Sequence, residues 1–296
     1  MANILRAMTT DGSARIVAIN GRSIVNRAIE IHRTMPTATA ALGRVLLGAS
    51  LMGSLLGEKD DLLTLRFQGD GGGGTILASG DYMGNVRGLI GDPSCDYPLR
   101  KTDGKLDVAR CVGRGQLSVL RSTGSGEPFR GVAEICSGEI AEDIAYYFAA
   151  SEQIPTLCAL GVLVDTDGSC KAAGGILIQL LPFADPEIAE KLEANAKKQK
   201  PVTAVLDGGR LEDLLEGYLE GIPFDLFDGF ECDYRCDCSR DRTDRALISL
   251  GRKQLRELID DPQEDTELCC EFCGSAYHYS KDDLHALLAE AERKKS

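Results

Sequence analysis

Residues 15–19 read Arg-Ile-Val-Ala-Ile and halt at Asn20-Gly21, the pattern of a strand that closes in a turn and leads into a helix. After Pro36, residues 37–53 carry Ala, Leu and Gly on every side, which predicts a helix buried all round. His32, just ahead of it, has no partnered cysteine or serine in sequence reach, so a catalytic role is the weaker reading. Residues 62–68 alternate as a strand, Gly69-Asp70-Gly71-Gly72-Gly73-Gly74 breaks it, and 75–79 resume, which predicts a hairpin. No Gly-Lys-Ser/Thr follows those glycines, so they read as a turn and not as a phosphate cradle. Residues 81–88 predict a further strand pair joined at Met83-Gly84-Asn85, and Gly113-Arg114-Gly115-Gln116 separates two more apolar stretches.

The period turns helical over 137–148, with Ile140, Ile144, Tyr147 and Phe148 on one face, Ser137 as N-cap and Glu139 at the positive end. Glu139, Glu142 and Asp143 could be paired acid and base groups, but acids in a first turn ordinarily answer the helix dipole. Residues 160–168 and 175–181 form one more hairpin, and Asp165-x-Asp167-Gly168 is too short for a calcium loop. Pro182 closes this region. In 183–231 twelve acids face five bases, with helix starts at Asp185-Pro186-Glu187 and near Gly209-Arg210. Ile188 and Leu192 form a narrow apolar stripe there, and Leu211, Leu214, Leu215, Tyr218 and Leu219 a wider one. Helices this short gain their stability from packing, so they must lean on a neighbour. Beyond them the pattern predicts one helix over 242–259, a break at Pro262 and a capping box, Ser280-Lys281-Asp282-Asp283, opening a final helix.

Composition narrows the class. The 296 residues have room for two or three domains, and 43% of them are hydrophobic, enough for a sizeable core. A net charge of −13 repels phosphate backbones and anionic lipid. Tryptophan is absent, so stacking platforms for bases are scarce as well. A protein partner is expected, with no nucleic acid and no membrane. The opening residues 1–12 show no apolar run after Arg6, and no apolar run approaches the ~18 residues a bilayer span needs. The expectation is a protein of the reducing cytoplasm.

Cysteine is where the chain becomes specific. Of eleven, Cys95, Cys111, Cys136, Cys158 and Cys170 stand singly among apolar residues and read as small buried hydrophobes. The other six crowd into 232–273. Cys236-Asp237-Cys238 and Cys270-Glu271-Phe272-Cys273-Gly274 are two close pairs with 31 residues between them, and two such pairs can each supply half of a tetrathiolate zinc site. Gly274 suits the tight knuckle such a site needs, since it accepts positive φ without steric penalty. Two structural disulfides in an exported protein are the alternative. Cys236, Cys238, Cys270 and Cys273 are the favoured ligands, with one zinc per chain; Cys232 and Cys269 fall outside the pairs, and His278 and His285 are nearby but better placed on the surface. A zinc site is worth about 10–16 kcal/mol of apparent binding free energy, more than a module of about 65 residues draws from its own core. Zinc thiolates stay nucleophilic, so an oxidant can convert them to disulfides and unfold the module.

These cysteine pairs, with Ser239 after the first, resemble the redox-regulated thirty-three-kilodalton heat-shock protein family. Gly84-x-Val86-Arg87-Gly88, Ser137-Gly138-Glu139-Ile140-Ala141-Glu142-Asp143 and Ser151-Glu152-Gln153-Ile154-Pro155 carry the resemblance over nearly the whole chain. It implies an α+β protein: an N-terminal mixed core (1–181), a helical linker (182–231) and a small C-terminal zinc-binding redox-switch domain (232–296). It also implies a chaperone, not an enzyme, that is inactive when reduced and holds unfolding client proteins when oxidised. Oxidation would pair Cys236 with Cys238 and Cys270 with Cys273, and dimerisation would accompany activation. A zinc-containing thiol oxidoreductase or hydrolase is the competing class, but catalytic zinc keeps an open position and thioredoxin-like enzymes carry their Cys-x-x-Cys early in a βαβ unit.

Overall fold

The computed structural model describes residues 2–122, 127–261 and 265–293; Pro262, read as a break, lies outside them. The chain forms two compact units, Met1–Arg235 and Cys236–Ser296. In chain order the first begins with β1 (Ala2–Thr9), β2 (Ala14–Asn20), α1 (Arg22–His32) and α2 (Pro36–Gly53). It continues through β3 (Leu62–Gly69), β4 (Thr75–Asp81), β5 (Val86–Ile90), α3 (Val108–Val112), β6 (Gly115–Ser122) and β7 (Phe129–Glu134). Then come α4 (Ala141–Tyr147), a π-helical turn (Phe148–Glu152), β8 (Thr156–Val164) and β9 (Cys170–Leu180). The unit ends with α5 (Pro186–Lys198), α6 (Val202–Leu206), α7 (Leu211–Tyr218), β10 (Phe224–Leu226) and β11 (Phe230–Cys232).

Every named strand pairs antiparallel. One sheet runs β10-β1-β2-β9-β8 with β11 also on β1, and the other runs β5-β4-β3-β6-β7. With its helices in separate layers this is the expected α+β class. The all-round apolar surface of α2 is explained by what encloses it. Leu42, Val45, Leu46, Leu47 and Leu51 share one core with Val17, Ile19 and Leu177 of the first sheet and Leu63, Leu65, Phe67 and Ile76 of the second. Helix and sheet come so close that a Cβ on Gly80 of β4 would lie 2.3 Å from the Ala49 carbonyl oxygen.

The first sheet is buried on both faces. Strand alternation turns Ile16, Ala18, Ile176 and Ile178 away from α2, and they pack with Ile188, Leu192, Leu211, Leu214, Leu215 and Tyr218. Both stripes seen in the sequence between 183 and 231 therefore dock on this outer face, as their marginal length requires. The short α6, which adds Val202 and Leu206 to the same cluster, has too few residues to leave a period in the sequence.

Four local readings need correction. Ser137 does not cap α4: the helix starts at Ala141, and Ile140 before it takes φ 73°. What secures that turn is Asp143, fully buried, whose Oδ1 accepts from the amides of Cys136 (2.9 Å) and Ser137 (2.8 Å) while Oδ2 accepts from Ile140 (2.8 Å). Glu139 is instead held by Arg44, at 2.6 Å, and by Arg100. Cys136 is exposed, with its thiol turned to Asp143 at 3.2 Å, and Cys158 is only half-buried. Cys95 and Cys111, single in sequence, meet in space with their sulfurs 3.4 Å apart. Residues 242–259 do not form one helix: Gly251, at φ 91°, separates α8 (Arg240–Leu250) from α9 (Arg252–Asp260) in the second unit.

Replacing Asp143 by Ala leaves the buried Gly138 and Ile140 amides without their acceptor, so Asp143→Ala is expected to cost about 3 kcal/mol in urea unfolding of the reduced protein. Asp143→Asn, which keeps one acceptor oxygen, should lose less. Equal unfolding midpoints for Asp143→Ala and the parent chain would show that the turn does not depend on this carboxylate.

Candidate metal centre

The second unit has little apolar substance. Besides α8 and α9 it contains β12 (Asp265–Cys269), β13 (Ala276–Ser280) and α10 (Lys281–Arg293). Among the described residues its core is Leu247, Leu255, Tyr279, Leu284, Leu287 and Ala291. Ser280 and Asp283 make the capping box at the start of α10, with the Ser280 amide donating to the Asp283 carboxylate at 3.0 Å and the Asp283 amide to Ser280 Oγ at 3.2 Å.

The two cysteine pairs arrive by different routes. β12 and β13 form a hairpin whose last paired positions are Cys269 and Ala276, so residues 270–275 form its turn. There the Cys270 amide donates to the Ser275 carbonyl (2.9 Å) and the Gly274 amide to the Cys270 carbonyl (2.8 Å). Gly274 sits at φ 73°, as a knuckle of this kind demands. Cys236 and Cys238 come from an extended segment that stops at Ser239, whose Oγ accepts from the Arg242 amide at 3.3 Å and caps α8. Arg242 also pairs with Asp237 between the two thiols.

The four sulfur atoms of Cys236, Cys238, Cys270 and Cys273 lie within 4.8 Å of one another, the single such group of possible metal ligands among the described residues. Cys236 and Cys270 are 3.8 Å apart, and Cys238 and Cys273 are 3.3 Å apart. Tetrahedral ligation at a zinc–sulfur bond of about 2.3 Å places sulfurs about 3.8 Å from each other, so the spacing fits a single ion. These four cysteines could hold one metal ion.

Without a cation the cluster moves the ionisation of Cys236 and Cys273 in opposite directions. Burial, together with hydrogen bonding to its three neighbours, pushes the Cys236 thiol up to about 12. For Cys273 burial also acts against the thiolate, but hydrogen bonds from Ser275, from its hydroxyl and its amide, and from the neighbouring thiols outweigh it and bring the group down to about 7. A divalent cation reverses this balance, because a coordinating thiol is deprotonated outright. Tyr277 adds an O–H donor to Cys238 Sγ at 3.1 Å. The sequence marks Ser239 as part of the motif but not as a helix cap, and gives no role to Ser275 or Tyr277. The alternation Tyr277-His278-Tyr279 was the available signal for the last, since it puts both tyrosines on one face of β13.

The remaining candidates lie elsewhere. Cys269 is exposed, its thiol donating to Glu267 at 3.3 Å, because strand alternation turns it away from Cys270. Cys232 is buried in β11 of the first unit, where burial pushes its thiol up to about 12. His278 is exposed and faces Glu267 at 3.5 Å, and His285 is exposed on α10. His32 meets the Tyr234 hydroxyl at 3.1 Å, and burial holds its pKa below the usual histidine value. That hydroxyl also donates to the Gly88 carbonyl at 2.8 Å, while the Val86 amide donates to the Asp233 carbonyl at 3.0 Å. The 84–88 motif thus receives the segment that ends just before Cys236.

Two substitutions separate ligand from bystander. Cys269→Ser should leave bound metal per chain unchanged, whereas Cys273→Ser should lose it, both read with a chromogenic chelator. Gly274→Ala meets no steric obstacle, so its effect is the backbone penalty alone. At about 1–2 kcal/mol for a left-handed residue, that is a loss of roughly 5–30-fold in metal affinity by chelator competition.

Similarity to known proteins agrees with this geometry. The sequence model described as Hsp33 protein matches residues 2–280. The 33 kDa chaperonin of Clostridium perfringens (strain SM101 / Type A) is 43% identical over 294 residues, covering 98% of this chain and 92% of that one. That of Clostridium tetani (strain Massachusetts / E88) is 40% identical, over 96% and 97% of the two chains. Among solved structures, the crystal structure of the 33 kDa chaperonin from Thermotoga maritima superposes with a TM-score of 0.89 at 34% identity, covering 98% of this chain and 99% of that one. A match of this extent, joined to a cluster of four thiols at the C-terminal end, shows that the chain belongs to the Hsp33 family.

Proposed function

We propose that this protein is a holding chaperone governed by the redox state of its cysteine cluster. It is inactive with Cys236, Cys238, Cys270 and Cys273 reduced around one zinc ion, and active when they are oxidised. The observation that carries the reading is that four thiols converge in a unit whose core has, among the described residues, six buried side chains. Bound zinc supplies the cross-link that so small a core does not, and keeps the sulfurs as thiolates. Four sulfur donors complete a tetrahedral shell, which favours a structural switch over a zinc hydrolase or oxidoreductase.

Oxidation by a peroxide converts two pairs of thiols to two disulfides and removes all four ligands at once. Cys236 with Cys238 and Cys270 with Cys273 is the pairing proposed. In the folded cluster the closest thiol contacts run across the pairs, but Cys236 and Cys270 are 34 positions apart in the chain. Once the unit loosens, sequence neighbours stay close while distant partners separate, so loop closure favours the local links. Cys269 and Cys232 take no part.

Unfolding then travels back from Cys236. The segment it meets first is β11, three residues long, then β10, also three, each paired at the edge on β1. Short edge pairings open at low free energy. Residues 182–231 act in this reading as the linker: when α7 and α5 leave the first sheet, they bare Ile16, Ala18, Ile176 and Ile178 together with their own stripes. That apolar surface would hold unfolding client proteins, while the acidic faces keep the loaded complex in solution. Pairing of two copies in the active form and a cytoplasmic setting complete the proposal. No helix among the described residues is long and apolar enough to cross a membrane.

The test is to treat the reduced, zinc-loaded protein with peroxide under mild heat. Metal release and suppression of a model protein's aggregation, followed by light scattering, should rise together and reverse with reductant. Zinc loss without gain of holding activity would overturn the coupling. Hydrogen exchange of residues 183–231 should rise on oxidation; equal protection in both states would remove the linker from the mechanism.

A further inference from the structure

The Cys95–Cys111 contact lies in the first unit and has no part in the metal centre. Its setting is built from two independently anchored segments. Cys95 belongs to a loop fixed to the start of α2: the Met35 amide donates to the Pro93 carbonyl (2.9 Å), the Ala38 amide to the Cys95 carbonyl (3.1 Å), and the Thr37 amide to the Asp96 carboxylate (3.0 Å). Cys111 belongs to α3, and the glycine-rich turn after β3 holds it. The Gly73 amide donates to the Cys111 carbonyl at 2.9 Å and the Gly71 amide to the Val112 carbonyl at 3.2 Å.

The same turn makes room for the sulfurs. A Cβ on Gly73 would stand 2.6 Å from Cys111 Sγ, and one on Gly72 would stand 3.2 Å from Cys95 Sγ and 2.3 Å from the Tyr97 hydroxyl. The glycine run that cradles no phosphate is therefore the floor of a thiol pocket. The two sulfurs lie 3.4 Å apart above this turn, and a bond of about 2.05 Å needs only a small shift of each.

We propose that Cys95 and Cys111 form a second redox site of this protein, a reversible disulfide made under a two-electron oxidant such as hydrogen peroxide. Cys95 retains 6% of its surface and Cys111 none, so Cys95 is the sulfur an oxidant reaches. Its thiol takes one peroxide oxygen as the O–O bond breaks, giving a sulfenic acid and one water. The Cys111 sulfur then attacks the Cys95 sulfur: the S–S bond forms, the S–O bond breaks, and the hydroxyl leaves with the Cys111 proton as a second water. Because the pocket is buried, the reaction waits on opening of the loop, so this pair oxidises after the cluster thiols of the second unit and is reduced after them. The link closes the chain over 16 positions and ties the exposed stretch around Leu99 and Lys101 to the core, so oxidant tightens this unit.

The experiment is graded peroxide treatment of the full-length, metal-loaded protein, followed by denaturation, alkylation and peptide mass mapping without reductant. A cross-linked pair of peptides carrying Cys95 and Cys111, lighter by two hydrogens than the two thiols and released by reductant, is the expected product. It should appear at higher exposure than that consuming the thiols of 236–273. In Cys111→Ser, Cys95 should lose its partner and be trapped as the dimedone adduct of its sulfenic acid. Full alkylation of both cysteines after the cluster has been completely oxidised would overturn the proposal. So would their recovery as sulfonic acids or in links to other cysteines. The readout needs neither zinc nor holding activity, so it stands apart from the reading of the metal centre.

Discussion

Four thiols crowded within 4.8 Å of one another are the feature that sets the C-terminal unit apart, an arrangement that suits a shared soft cation. Burial and the neighbouring thiols push Cys236 up, whereas hydrogen bonds from Ser275 and the neighbouring thiols bring Cys273 down, so these two sulfurs do not ionise alike. A soft divalent cation would bind all four as thiolates and tie the two cysteine pairs together. The polypeptide is shaped for this. The hairpin turn folds back through Gly274, Ser239 starts a helix immediately after Cys238, Tyr277 donates to Cys238 Sγ, and Ser275 Oγ meets Cys273 Sγ.

The N-terminal unit is held in the opposite way. Its central helix is enclosed by two sheets, and the first of these is covered again on its far face by α5, α6 and α7. Stability there is spread over many buried side chains, so no single bond governs it. Buried and part-buried carboxylates there are held locally: Asp143 by backbone amides of the turn before α4, Glu139 by Arg44 and Arg100, and Glu152 by Arg121. The difference between the two units is one of distribution: dispersed burial resists a local chemical event, and a small cluster of ligands does not.

Periodicity carried much of this. The helix after Pro36, the hairpins around the glycine run and at 160–181, and the two stripes between 183 and 231 were all readable, because burial on one or every side imposes a repeat on residue choice. The spacing of Cys236, Cys238, Cys270 and Cys273 was readable for another reason: few roles other than metal ligation put two close thiol pairs in one short stretch. Elements of three to five residues, such as α6, β10 and β11, left no repeat to read. Gly251 was passed over because one glycine inside an otherwise helical pattern is weak punctuation, and its left-handed φ emerges only when the chain must turn.

What the order of residues determined by itself was which segments are apolar on which side and which cysteines could share an ion, since both follow from local spacing. Tertiary structure decided what lies across from what. It brought Cys95 to Cys111 from different segments and turned Cys269 outward while Cys270 faced in. It gave Asp143 four backbone positions to hold and made the glycine turn a floor for two sulfurs. Such contacts are set by how sheets and helices stack, and stacking joins residues that share no sequence neighbourhood; no pattern along the chain encodes them.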